Sequence, residues 1–182
     1  PRLLSSAASD VYKRQMIGLP EEKVRRAYSF TSGPYDDYLE FYSIKVPNGP
    51  LTSKLKYIEP GKFLAVSDKP TGTLTLANLE LGGHLWLMAT GTGIAPYISL
   101  LRDPNTFDAF DKITVCWTVS NKKDLRSYNE FLEENDVTYF PTVTREEFKN
   151  QGRITKYIDG GMWDDITPVS YTHLTLPTKE GV

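Results

Sequence analysis

Three near-continuous apolar runs in the second half of the chain restrict its fold more than any other feature: HLWLMAT at 84–90, KITVCWTV at 112–119 and VTYFPTVT at 137–144. Strands covered by helices on both faces read this way, because neither face alternates toward water. The intervening patterns predict helices near 95–102 and 124–134, the second capped by Asn121 or a neighbouring residue. Strand–helix alternation then predicts a parallel α/β sheet with right-handed crossovers. The first run opens into Gly91-Thr92-Gly93, with Pro96 shortly after. The glycines permit positive φ and close backbone approach, and proline suits a first helical turn. Free N–H groups at that helix start would favour an anion. The turn lacks the third glycine of the dinucleotide fingerprint. Alone, it is compatible with a phosphate seat or with an ordinary strand–turn–helix connection.

The first half has another rhythm. VRRAYSFT (24–31) and YLEFYSIKV (38–46) read as aromatic, β-branched strands joined by the turn SGPYDD. PNGP stops the second, and the apolar spacing of Leu51, Leu55 and Ile58 predicts a short helix. KFLAVSD (62–68) and GTLTL (72–76) read as two further strands. Mostly antiparallel β before residue 80 suits a small barrel. The segment NLELGG (78–83) then divides the chain into two domains, 16–80 and 81–168.

Composition narrows the functional classes. A content of 40% hydrophobic and 12% aromatic residues indicates a globular chain. A net charge of −2 argues against nucleic acid as a partner. No apolar run approaches the roughly 20 residues that span a bilayer, and the start lacks a signal-peptide core, so no membrane association and a cytoplasmic location are expected. The single cysteine, Cys116, sits in an apolar run and reads as a packed strand thiol; no Cys/His spacing suggests a metal. The opening PRLLSSAASDVYKRQ (1–15) and the closing VSYTHLTLPTKEGV (169–182) resemble translated sequencing adapter. Both are read as artefact tails and set aside from the functional reading.

Four motifs stand in order: RAYS at 26–29, GPLTS at 49–53, ATGTGIAP at 89–96, and TRE with GRIT between 144 and 155. In this order and spacing the chain resembles the bacterial-type ferredoxin–NADP⁺ reductases, also called flavodoxin reductases, over about residues 20–165. The resemblance implies an antiparallel FAD-binding β-barrel followed by a parallel α/β NADP-binding domain, each incomplete here. It assigns the FAD pyrophosphate to Arg26, the isoalloxazine face to Tyr28 and the neighbourhood of flavin N5 to Ser29, with Ala27 between them and Tyr42 on the flavin side. Tyr28 and Ser29 are the catalytic candidates. Pro50, Leu51 and Thr52 match the segment that cradles the FAD diphosphate, although Pro50 brings no N–H.

The same resemblance makes the Gly-Thr-Gly turn the floor between flavin and nicotinamide, with Thr92 against FAD and Gly91 and Gly93 leaving room for NADP(H). Val119, Ser120 and Thr144 join the NADP side, and Arg145 and Arg153 match positions facing the 2′-phosphate, the charge that separates NADPH from NADH. Ser120 stands where many relatives carry arginine. The implied reaction is hydride transfer from NADPH to FAD, followed by single electrons to ferredoxin or flavodoxin, in a monomer. A flavin reductase or electron-transfer subunit of the same fold is the nearest alternative, although an electron-transfer subunit would usually bring an iron–sulfur cysteine cluster. An oligonucleotide-binding barrel is the alternative from another class. His84, at a strand entrance, reads as solvated surface rather than as a proton carrier. Because barrel strands and the C-terminal region of full-length relatives are missing from the motif order, the chain by itself is expected to fold loosely and to show little activity.

Overall fold

The computed structural model describes residues 14–46, 48–68, 72, 74–163 and 170–174. The chain forms two compact units, one of Pro1–Asn78 with Ala95–Asp103, the other of Leu79–Ile94 with Pro104–Val182.

In the first unit, β1 (Arg14–Gly18), β2 (Arg25–Ser29) and β3 (Ala65–Val66) form an antiparallel sheet in the order β2-β1-β3. Met16 pairs with Ala27, and Ile17 pairs with both Arg26 and Val66. Arg14 and Gln15, assigned above to a tail, lie opposite Ser29 and Tyr28 in this ladder. Ile17 and Leu51 are buried, Leu51 at the entry to the short helix α1 (Thr52–Leu55).

The strand expected at 38–46 does not form. Only Phe30 and Phe41 bridge, while the preceding turn is tied by side chains: Gly33 N–H donates to Asp36 Oδ2 at 2.8 Å and Glu40 N–H to Ser32 Oγ at 3.1 Å. Side-chain acceptors thus take amides that a ladder would use. The strand expected at 72–76 is likewise absent among the described residues; Leu76–Asn78 is a single 3₁₀ turn closed by Asn78 N–H on Thr75 O.

Helix α2 (Ala95–Leu101) also belongs to the first unit, and all seven of its residues are buried. Its Ser99 hydroxyl donates to Ser32 O at 2.5 Å. One residue past its end, the Arg102 guanidinium donates to Thr31 O at 2.9 Å and to Glu40 Oε2 at 3.2 Å. The Thr31 hydroxyl closes this network by donating to Glu40 Oε1 at 2.7 Å.

The second unit is the parallel α/β layer that the apolar runs predict. Strands β4 (His84–Thr90), β5 (Lys112–Val119), β6 (Thr138–Val143) and β7 (Ser170–Leu174) run parallel in the order β6-β5-β4-β7. Strand β7 falls within the segment read above as a tail. Leu85, Leu87, Val115, Trp117 and Val143 are almost completely enclosed. Helix α3 (Asn105–Ala109) was not foreseen. The single helix expected at 124–134 is two, α4 (Lys122–Leu125) and α5 (Asn129–Glu134). Tyr128, with φ −138° and ψ 7°, leaves the helical basin and turns its ring toward Trp117, 6.4 Å away between centroids. Asn121 does open α4, with its own N–H donating to Asp124 Oδ2 at 3.1 Å. Helix α6 (Ile154–Asp159) follows β6.

Candidate functional site

In an open parallel sheet, ligands settle beyond the carboxyl ends of the strands, where loops and helix starts converge. Five of the residues singled out in the sequence meet there. The parallel pairing of β5 and β6 continues past both strands, because Thr144 N–H donates to Val119 O and Arg145 N–H to Ser120 O, each at 3.0 Å. The Thr144 hydroxyl adds a bond to Val119 O at 3.3 Å. A tight return follows β6: Val143 N–H donates to Asn150 O at 3.1 Å and Gly152 N–H to Val143 O at 2.9 Å. That return brings Arg153, the residue opening α6, back to the end of β6, just before the loop that carries Arg145. Both arginines are exposed, and among the described residues neither guanidinium has a hydrogen bond or ion pair.

The turn after β4 has a defined shape. Gly91 has φ +54°, a left-handed conformation that side chains rarely adopt, and a Cβ built there would meet nothing within 4 Å. The space above this backbone is open to a ligand. Gly93 is buried and is not among the positive-φ glycines, so only the first glycine needs its freedom for φ. Thr92 is half-buried between them. The turn is held from beneath by a residue that sequence reasoning missed: the indole N–H of Trp117 donates to Gly91 O at 2.8 Å. An aromatic in a buried strand gave no signal of that role. Replacing Trp117 by Phe should cost about 1 kcal/mol through the lost bond, and amide exchange at Gly91–Gly93 should accelerate while β5 stays protected. Unchanged exchange in the turn would refute the tie.

In the first unit, Arg26, Ala27, Tyr28 and Ser29 all lie on β2, an edge strand. Arg26 and Ala27 are exposed, whereas Tyr28 and Ser29 are half-buried. The Tyr28 ring meets Phe41 edge-on at 6.5 Å, and Phe41 is 4.8 Å from Phe30, which fixes the tyrosine plane. Arg26 Nη1 donates to the neighbouring Arg25 O at 3.0 Å, leaving further donors on the same guanidinium. Tyr42 is half-buried nearby in sequence. At α1, Pro50 is exposed and Leu51 is a core anchor, while the Thr52 hydroxyl bonds both N–H and O of Val46, at 3.2 and 3.4 Å. Ser53 N–H donates to Gly49 O. Among the described residues, the amides of Leu51 and Thr52 are thus left as donors for an anion in this turn.

His84 departs from expectation. It is half-buried, its ring lies 4.6 Å from that of Trp86, and Nε2 is 2.8 Å from Thr114 Oγ1. Burial, followed by the charge of Lys112, holds its pKa below the usual histidine value. It is a neutral strand-entrance residue packed on an indole. Cys116 is the packed thiol expected, buried and pushed up to about 12 by loss of solvent. Among the described residues no His/Cys/Asp/Glu group could hold a metal, and no helix is long and apolar enough to cross a membrane.

Comparison with known proteins gives this arrangement its context. The chain is 42% identical over 167 residues to a ferredoxin–NADP reductase of Azotobacter vinelandii, an alignment covering 83% of this chain and 64% of that protein. The chain is a relative of the ferredoxin–NADP reductases. A flavodoxin/ferredoxin–NADP reductase of Rhodobacter capsulatus is 44% identical over 161 residues, covering 80% of this chain and 60% of its own length. Among solved structures, a ferredoxin NADP⁺ reductase from Neisseria gonorrhoeae with bound FAD and NADP superposes with a TM-score of 0.79 at 25% identity, covering 91% of this chain and 69% of that one. No family model matches. The chain spans less than two thirds of the length of these curated reductases. Its two units reproduce the reductase fold class: an antiparallel sheet, not closed into a barrel by its three strands among the described residues, and a parallel α/β layer.

Proposed function

We propose that this chain is part of an FAD-containing oxidoreductase that passes electrons between NADPH and ferredoxin, with flavodoxin as an alternative acceptor. The observation that carries this reading is the convergence of Val119, Ser120, Thr144, Arg145 and Arg153 at the carboxyl ends of β5 and β6, beside a Gly91 turn with open space above it. Two guanidiniums without a partner among the described residues suit a phosphomonoester, which guanidinium matches bidentately. Gly91 offers backbone that a flat ring or a phosphate can approach.

The residues present also fit FAD. Arg26 would hold the pyrophosphate with the donors Arg25 O does not use, the Leu51 and Thr52 amides would assist it, and Tyr28 would lie against the isoalloxazine. Ser29 would place a hydroxyl beside the reactive edge of the ring. Tyr42 and Thr92 complete the flavin set, and Gly93 the NADP set. The bound flavin supplies the chemistry, accepting a hydride and giving up electrons singly, whereas the protein binds, orients and excludes water. No side chain need act as nucleophile. We place the protein in the cytoplasm as a monomer.

Arg26→Ala tests the flavin half. Loss of a charge-assisted contact worth about 1.5–3 kcal/mol should weaken FAD retention by roughly ten-fold or more. The check is flavin absorbance per chain after dialysis; undiminished occupancy would remove Arg26 from the site.

A further inference from the structure

The loops that follow β5 and β6 are joined by more than backbone. Three successive residues after β5 are each fixed by a different partner. Ser120 O accepts from Arg145 N–H at 3.0 Å, Asn121 N–H donates to Asp124 Oδ2 at 3.1 Å, and Lys122 N–H donates to Glu146 Oε2 at 3.1 Å. Arg145 and Glu146 are adjacent, so the loop after β6 reaches the segment after β5 twice in two residues, once through its backbone at Ser120 and once through a carboxylate at Lys122, the first residue of α4. Glu146 is half-buried and Arg145 exposed. A long guanidinium on an exposed loop loses considerable rotamer freedom on binding, and that loss falls when the backbone beneath it is already fixed. A carboxylate beside a cation also lowers the local positive potential, which by itself would oppose an anion. Its presence is explained if its main work is mechanical.

We infer that Glu146 is a positioning residue for coenzyme recognition, its carboxylate fastening the two loops so that Arg145 is held toward the 2′-phosphate. The inference rests on the proposed role of Arg145, and its test separates the two. The probes are 2′-phospho-AMP and AMP, titrated calorimetrically into the full chain. Glu146→Ala should weaken 2′-phospho-AMP about ten-fold, the scale of one charge-assisted bond, and leave AMP nearly unchanged. Glu146→Gln keeps an oxygen acceptor for Lys122 N–H and should bind both probes like the parent. Should the alanine variant not fold, Glu146→Asp carries the test, since it keeps the charge but withdraws the acceptor by one methylene and should lose affinity as alanine does.

A binding-independent readout accompanies these. Amide exchange at Lys122 should accelerate about ten-fold in the alanine or aspartate variant and stay slow in the glutamine variant. Parent-like 2′-phospho-AMP affinity in Glu146→Ala, with Arg145→Ala impaired, would overturn the positioning role and leave the coenzyme reading standing. A glutamine variant as weak as alanine would overturn it as well, because charge would then be the operative property. If Arg145→Ala binds 2′-phospho-AMP like the parent, the coenzyme reading fails, and the inference with it.

Discussion

Replacing Arg145 and Arg153 together by alanine is expected to raise the Kd for NADPH by roughly a hundred-fold, while the Kd for NADH changes little. Each guanidinium can form charge-assisted bonds to phosphate worth about 1.5–3 kcal/mol. Both side chains are exposed, so the lower end of that range is appropriate. Two such losses sum to about 3 kcal/mol, and every 1.4 kcal/mol is a factor of ten. The effect should be confined to NADPH, because the 2′-phosphate is the group NADH lacks. Each single variant should fall between the parent and the double variant, since the two residues sit on separate elements of the return after β6. Titrating both coenzymes against both proteins decides the matter: equal weakening toward NADPH and NADH would show that the arginines support the loop rather than read the phosphate.

The second large effect concerns stability. Gly33→Ala is expected to destabilise the first unit by about 1–3 kcal/mol, the range for forcing extra volume into a packed site. A Cβ at this position would lie 2.8 Å from Arg102 Cβ and 3.0 Å from Arg102 O, so the obstacle is largely main chain and cannot swing aside. Moving it would also disturb the bonds from Arg102 to Thr31 O and Glu40, as well as the Ser99–Ser32 contact. For a small unit, 1 kcal/mol corresponds to about 4–8 °C in Tm. A thermal melt of the variant followed by near-ultraviolet circular dichroism gives the answer, and an unshifted midpoint would mean the turn relaxes freely around the added methyl.

How much of this was legible in the sequence depended on whether a feature is local. The runs around Leu85–Leu87 and Val115–Trp117 declared buried parallel strands because both faces of each are enclosed, which leaves no polar alternation to confuse the period. The helix at Ala95–Leu101 and the cap at Asn121 were also readable from neighbours in the chain. Tyr38 to Val46 misled because aromatic and β-branched residues permit a strand but cannot supply a partner for it; the bonds of Ser32 and Asp36 decide that backbone. Tyr128 interrupts a plausible helix on account of Trp117, a residue distant in sequence. His84 looked solvated because Thr114 reaches its ring only when β4 and β5 pair, whereas Trp86 stacks on it from the same strand. Among the candidate site residues, the motifs pointed to Gly91, Thr144, Arg145 and Arg153, whereas the bonds of Trp117, and of Glu146 within the TRE motif, exist only once strands are aligned.

The membership of α2 in the first unit has a consequence for vectorial synthesis. Residues up to Asn78 emerge from the ribosome before Ala95–Asp103, yet the unit they belong to also needs that later segment. Ser32 O must wait for Ser99, and Glu40 for Arg102. The nascent chain therefore cannot complete its leading unit until β4 and the Gly91 turn have been delivered, and the two units are built in an interleaved order. For the same reason, a single scission after Asn78 would not release the first unit whole. It would leave behind α2, a helix whose seven residues are all buried in the folded chain.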